Sequence, residues 1–362
     1  MFNIGGAMFG LGSNLRVGLD IGTHSIKVAV VEKVGPRFRL HKWKCHELYT
    51  GGERYDPEGP KKSIAVPALA KIFGELGLAP KKIKHLASCI GGLQVSAKEI
   101  SSIMQTEQEM ASSLLLEARK HIPLDGSETV VDYQIMGDDV KETDKVRVLL
   151  VATTRKLYEG HQDYLREIEL KPGVIDIEPL AVLNSYIIHS QLPDEGVIVF
   201  LHLGAKRTTL GVLGRRDTFF TRDLPIGGQH FTDELMRIYG LDYNEAEEVK
   251  KTSGMSPNLE KKGGEASGLG MSDRTTFEKL GDEINRSLRY YVKESGQSVF
   301  THFVLTGGGA SLIGLDSYLS NKFNLPIELY NPFNQLDSRV PVDTPNPYQM
   351  AAAIGLAIRG DL

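Results

Sequence analysis

Cysteine is scarce: Cys45 and Cys89 are the only two in 362 residues. Their separation matches no metal-ligand spacing, which excludes a disulfide scaffold and a zinc module and fits a reducing compartment. Each is expected to be a small buried apolar residue. No apolar run approaches the ~20 residues with which a helix crosses a bilayer, so no membrane span is expected. Residues 1–14 lack the basic start of a secretory signal, and this Gly-rich stretch reads as a flexible leader. A dense Lys/Arg stripe is also missing and the net charge is −4, which argues against a nucleic-acid surface.

What is present is a globular composition, 41% hydrophobic and 24% charged, with length for about two domains. The chain carries one device twice. The first copy runs Leu19-Asp20-Ile21-Gly22-Thr23-His24-Ser25 into the apolar stretch 26–31; the second runs Leu201-His202-Leu203-Gly204-Ala205-Lys206-Arg207 into 209–213. Each is an apolar strand, a tight glycine turn and a second strand. A third glycine turn, Gly307-Gly308-Gly309, follows Phe303-Val304-Leu305. A turn that folds around an anion must aim several backbone N–H groups inward, and glycine permits both the dihedrals and the close approach. Thr23, Ser25 and Lys27 add hydroxyls and a cation. Asp20 stands where a carboxylate can hold Mg²⁺ through water. Either turn alone also reads as an ordinary hairpin; two turns and a glycine platform on two halves of one chain point to a nucleotide clamped between two domains.

Strands alternate with helices along the rest of the chain, which predicts an α/β protein with two related sheets. Strands are expected over 17–31, 37–45 and 85–90, with a loop at 47–62 and a helix over 66–76. Residues 93–177 read as an inserted module of order βαββαβ, a small sheet with helices on one side. Its helix over 107–121 is stopped by Pro123. The second half carries strands over 197–213 and 219–224 and helices over 231–239, 243–252 and 277–295. A Gly/Ser/Lys-rich loop at 256–273 and helices over 312–323 and 349–358 complete it.

Several segments resemble the actin-like ATPase superfamily and, within it, the PilM family of type IV pilus assembly: Glu117-Ala118-Arg119-Lys120-His121-Ile122-Pro123 with Val131-Asp132-Tyr133-Gln134, Glu283-Ile284-Asn285-Arg286-Ser287-Leu288-Arg289-Tyr290-Tyr291, Leu305-Thr306-Gly307-Gly308-Gly309-Ala310-Ser311-Leu312, Tyr330-Asn331-Pro332-Phe333, and Ala353-Ile354-Gly355-Leu356-Ala357-Ile358-Arg359. The resemblance implies an actin-like (ribonuclease H-like) fold of two lobes with a nucleotide cleft between them. It implies a first lobe from 15–92 and 178–195, a partner-binding module at 93–177, a second lobe from 196–230 and 300–362, and an insertion at 231–299.

The resemblance also implies roles. Gly22, Thr23, His24, Ser25 and Lys27 match the first phosphate loop, with Asp20 as the Mg²⁺-organising acid. Gly204, Ala205 and Lys206 match the second loop, and Gly227 and Gly228 a turn near the terminal phosphate, where a helix N-terminus favours anions. Glu247 and Lys250, three apart and so on one helical face, match a ribose contact. Gly307, Gly308 and Gly309 match an adenine platform. Glu178 matches the residue that orients the attacking water in DnaK-type relatives; it is also a good first-turn acid for a helix. One departure stands out: the second loop usually opens Asp-x-Gly, and here His202 takes the Asp position. A neutral imidazole offers one acceptor where a carboxylate offers several. ATP or ADP binding is therefore expected to survive, with hydrolysis slow or absent.

The family further implies a cytoplasmic protein held peripherally and indirectly at the inner face of the cytoplasmic membrane, among the pilus proteins of that platform. Its expected partner is the N-terminal cytoplasmic peptide of PilN, in a groove between module and first lobe. An FtsA-type cell-division protein ranks second: such proteins carry a C-terminal amphipathic helix after a linker, and this chain stops directly after its last helix. A small-molecule kinase of the same fold ranks third.

Overall fold

The computed structural model describes residues 15–49, 60–120, 128–139, 142–188, 190–215, 217–260 and 274–359. The leader, most of the loop at 47–62, the stop at Pro123 and most of the loop at 256–273 lie outside these. The chain divides into two compact units: Met1–Ile90, Glu159–Ser190 and Asn331–Leu362 form unit 1, and Gly91–Tyr158 with Gln191–Tyr330 form unit 2.

Unit 1 is built on a six-stranded sheet. Strands β1 (Leu15–Ile21), β2 (Ser25–Val34) and β3 (Arg37–Glu47) form an antiparallel meander, and β4 (Leu86–Ile90) and β8 (Val174–Ile177) join parallel beside β1. The two-residue strand β14 (Asp337–Ser338) pairs with β3. Helix α1 (Lys62–Glu75) buries Ala65, Ala68, Leu69, Ile72 and Phe73, the one-sided apolar spacing of an amphipathic helix. Helix α9 (Ala351–Ile358) is different: all eight residues are buried. It packs between β1 and α4 (Glu178–Ile187), and two glycines make the room. A Cβ on Gly18 would stand 2.0 Å from Ala353 O, and one on Gly355 1.7 Å from Ala181 O.

That packing corrects one domain expectation. Residues 300–362 were expected together in the second lobe, but Asn331–Leu362 belong to unit 1. An all-apolar helix of small residues has no solvent face, so it must be enclosed on both sides, and β1 and α4 supply the enclosure. Burying each of Ile354, Leu356 and Ile358 contributes about 2 kcal/mol.

Unit 2 holds an eight-stranded sheet of order β13-β12-β9-β10-β11-β5-β7-β6. Its centre is β9 (Val197–Leu203), buried at every residue, antiparallel to β10 (Thr208–Leu213) and parallel to β12 (Phe300–Thr306). Strand β13 (Ile327–Leu329) and β11 (Phe220–Leu224) flank these three. Helices α5 (Gly228–Tyr239), α6 (Tyr243–Ser253) and α7 (Thr276–Ser295) follow β11, and α8 (Leu315–Phe323) follows β12. Asp242 caps α6 and Thr275 caps α7, each in a reciprocal box with the Glu three residues on.

The module contributes β5 (Val95–Ile103), α2 (Glu107–Ala118), β6 (Thr129–Asp138) and β7 (Lys145–Thr154) to unit 2. Met110, Leu114 and Ala118 of α2 pack on Val146, Val148, Leu150 and Ala152 of β7. The order βαββαβ is completed by α3 (Arg155–Glu167) and β8. The strands, however, do not share one small sheet. β5, β7 and β6 extend the unit 2 sheet through the pair Phe220↔Lys98, and β8 lies in unit 1. The cause for β8 is local: Gly173 N donates to Leu86 O at 2.9 Å, which aligns 174–177 parallel to β4.

Candidate functional site

In unit 1 the first glycine turn joins β1 to β2. Gly22 N donates to Ser25 O at 3.1 Å, closing the turn around Thr23 and His24. His24 O accepts from Leu48 N at 2.9 Å, and its ring faces Tyr49 with centroids 6.3 Å apart. Register then orders the chemistry. Asp20 pairs with Lys27 across β1 and β2, Lys27 with Cys45 across β2 and β3, and Asp176 with Cys89 across β8 and β4. Lys27 Nζ donates to Asp20 Oδ2 at 3.0 Å, both side chains nearly buried. A Cβ on Gly22 would lie 3.0 Å from that ammonium nitrogen, so the glycine keeps the turn open to it.

Burial works to lower the Lys27 pKa, but the charge of Asp20, helped by Cys45 and Glu178, more than offsets it, and the pKa is raised. The ammonium stays charged. Cys89 is pushed well above a normal thiol, first by burial and then by Asp20, Glu178 and Asp176. These electrostatic couplings put Glu178, the first residue of α4, in the same neighbourhood as Asp20 and Lys27. Asp176 is held by Arg359 and by the N–H of Ile177.

In unit 2 the second turn joins β9 to β10, with Gly204 N donating to Arg207 O at 2.9 Å. It is docked on the start of α5: Gly228 N donates to Gly204 O at 2.9 Å and Gln229 N to Ala205 O at 2.8 Å. A Cβ on Gly227 would meet Arg207 N at 2.5 Å and the carbonyl oxygens of Ala205 and Gly204 at 2.7 Å, so only glycine fits there. Lys250 reaches the same place from α6. Its Nζ donates to Gly228 O at 3.2 Å and to Thr232 Oγ1 at 2.7 Å, and it is ion-paired with Glu247. Burial lowers the Lys250 pKa, with Glu247 opposing. Lys206 lies in the turn itself.

The third glycine turn abuts the second. Thr306 of β12 is in register with His202 of β9, so Gly307–Gly309 leave the sheet beside Leu203. Gly307 has φ +89 and its Cβ would lie 2.5 Å from Leu203 O; Gly309's would lie 2.9 Å from Leu203 Cβ. Gly308 faces open space. His202 is buried between Thr306 and Thr209, its two cross-strand partners.

Each unit thus gathers its own predicted residues. Unit 1 brings Asp20, Gly22, Thr23, His24, Ser25, Lys27 and Glu178 together. Unit 2 does the same for Gly204, Ala205, Lys206, Gly227, Gly228, Glu247 and Lys250, and sets Gly307–Gly309 beside the second turn. Sequence reading missed Thr232, which ties Glu247 and Lys250 to Gly228; its position four residues after Gly228 on one helical face was the available signal. It also missed Asp223, which faces Arg207 of the turn at 3.0 Å; nothing in sequence spacing announces a partner on a third strand. Among the described residues, no group of three or more His, Cys, Asp or Glu is arranged to hold a metal ion.

Among the described residues, no helix is long and apolar enough to cross a membrane. A solved structure described as a PilM–PilN type IV pilus biogenesis complex is similar at TM-score 0.76 and 24% identity, covering 95% of this chain and 98% of that one. The cell division protein FtsA of Enterococcus hirae is 23% identical, covering 92% of this chain and 81% of the relative. FtsA of Enterococcus faecalis is also 23% identical. The fold is α/β with two sheets and is shared with that PilM–PilN structure. The profile of the family described as type IV pilus assembly protein PilM matches residues 18–361, nearly the whole chain, and the chain belongs to that family.

Proposed function

We propose that this protein is an ATP-binding adapter of the type IV pilus assembly platform, working at the inner face of the cytoplasmic membrane, where it receives the N-terminal cytoplasmic peptide of a PilN-type protein. One observation carries the nucleotide part. Each of two tight glycine turns is backed by a buried lysine tethered to a carboxylate, Lys27 to Asp20 and Lys250 to Glu247. A buried ammonium is stable when paired and hydrogen-bonded, and it then stands ready to meet a ligand oxygen, of a phosphate at Lys27 and of the ribose at Lys250. Gly22–Lys27 and Gly204–Lys206 hold phosphates in this reading, with Gly227 and Gly228 near the terminal one. Glu247 and Lys250 meet the ribose, and Gly307–Gly309 carry the adenine. Mg²⁺, when bound, supplies charge neutralisation of the phosphates, with Asp20 as its protein ligand through water.

Hydrolysis is slow or absent in this proposal. Glu178 is close enough to influence Lys27 electrostatically, which fits a water-orienting role, and it also serves α4 as a first-turn acid. The second half lacks the matching carboxylate, because His202 occupies that position and sits buried between two threonines. The nucleotide then acts as a conformational cofactor. Match to the PilM family over 18–361, beside distant FtsA relatives, favours pilus assembly over cell division.

The partner part is tested by titrating the full chain with a synthetic PilN N-terminal peptide and with a scrambled control, in the presence of ATP and Mg²⁺. Saturable binding of the first and none of the second is expected. No binding of either at millimolar peptide removes the adapter reading.

A further inference from the structure

Arg207, the last residue of the second glycine turn, reaches beyond the turn to β11 and to the start of the module. The Arg207 guanidinium is ion-paired through Nε to Asp223 Oδ2 at 3.0 Å, and its Nη1 stands 3.8 Å from where a Cβ on Gly92 would be. Asp223 lies on β11, and its other oxygen accepts from Thr209 Oγ1 at 2.6 Å. Gly92 opens the module: it has φ +112, and its carbonyl accepts from Val95 N at 2.8 Å, where β5 begins. Farther along β5, Lys98 pairs with Phe220, the one β-pair between the module and β11 among the described residues. Glu99 reinforces that pair. Its Oε2 accepts from Phe219 N at 2.9 Å, and its Oε1 faces Arg147 Nη1 of β7 at 3.3 Å. The stretch from Gly92 to Glu99 is therefore paired with β11 near its end, and the Arg207 guanidinium lies beside its start. Asp223, on β11 and ion-paired with Arg207, joins that strand to the 204–207 turn.

We propose that Arg207 is a positioning residue that couples occupancy of the second glycine turn to the module sheet of β5, β7 and β6; this rests on the reading of that turn as a phosphate site. A phosphate arriving at the turn competes with Asp223 for the guanidinium, because a dianion beside an arginine outbids one carboxylate already shared with Thr209. Shifting the guanidinium changes what lies beside Gly92 and, through Asp223, how β11 meets β5 at Phe219 and Phe220. A long ladder would resist such a change. A junction of one residue pair with one carboxylate behind it does not, so the shift is passed to β5 and, through Glu99 and Arg147, to β7. Binding linkage makes the effect reciprocal: whatever holds the module in one state changes nucleotide affinity by the same factor.

The test is amide hydrogen exchange of the full chain with and without saturating ATP and Mg²⁺, with calorimetry on the same samples. In the wild type, exchange in peptides covering 92–103 and 145–154 is expected to change by about tenfold on ATP addition. In Arg207→Gln and in Asp223→Asn, each read at its own saturating ATP, that response should disappear while α5 and α6 still respond. Should Arg207→Gln fail to fold, Asp223→Asn decides alone. Unchanged β5 and β7 exchange in ATP-saturated wild type overturns the proposal, and so does a wild-type response in the variants. If calorimetry finds no ATP binding by the wild type, the phosphate reading itself falls and the coupling with it, an outcome distinct from binding without a response.

Discussion

Gly227 and Gly308 separate what a glycine does for the fold from what it does for a ligand. At Gly227 the backbone is extended, at φ −141, so any residue could adopt the dihedral. The space is the problem, since three backbone atoms crowd the Cβ position within 2.7 Å. Gly227→Ala is expected to cost about 3 kcal/mol of stability and to pry the second turn off α5. At Gly308 nothing lies within 4 Å of the Cβ position. Gly308→Ala should leave the unfolding free energy in urea within about 0.5 kcal/mol of wild type while, on the proposed adenine platform, weakening ATP roughly tenfold, because the added methyl would meet the base. Equal loss of stability and affinity in both variants would deny the platform role. The two buried lysines also differ in character. Lys27 is strengthened as a cation by Asp20, whereas burial prevails at Lys250. Sequence spacing anticipated that Glu247 and Lys250 share a face. It did not reveal that Thr232 sits between them, because that contact joins two helices.

Strand β1 is tied to helix α3 by a buried relay. Ser88 Oγ of β4 donates to Leu19 O of β1 at 2.9 Å, which leaves Ser88 to accept from His161 Nε2 of α3, also at 2.9 Å. Burial lowers the His161 pKa from 6.5 to about 4, so the imidazole is neutral near pH 7, and the tautomer that suits Ser88 carries the proton on Nε2. In the unfolded chain the imidazole takes up a proton below about 6.5, while the folded chain refuses it until about 4. Stability is thus lost progressively as pH falls through that window, by about 3 kcal/mol in all. Urea unfolding at pH 7.5 and pH 4.5 checks this: His161→Gln should flatten the dependence relative to wild type, and an unaltered slope would mean that other groups carry it. Elements of this kind were legible where the pattern was strong. Apolar runs bounded by glycine gave β1, β2, β4, β9 and β12, and helical spacing gave α1, α5 and α7. β13 and β14, three and two residues long, offered no period to read. α9 was readable as a helix but not in its placement, because a helix buried on every side has no face that names its neighbour.

For the molecule as a whole, the division of strands between sheets was the least legible feature. The order βαββαβ was plain in the chain, but which sheet β5 or β8 joins is decided by pairings between distant strands, such as Phe220↔Lys98 and Ala87↔Val174. The two glycine-turn clusters were more legible, since each depends on local turns that glycine and short spacing announce. The departure at His202 was legible as well, and it carries the proposal that the chain binds ATP at its glycine turns and scarcely hydrolyses it. The direct measurement is calorimetric titration of the chain with ATP and Mg²⁺, with phosphate release followed on the same sample. Saturable one-site binding is predicted, with turnover at least a hundredfold below the ~10 s⁻¹ typical of enzymes. Absence of binding at millimolar ATP, or turnover at ordinary enzyme rates, would contradict it.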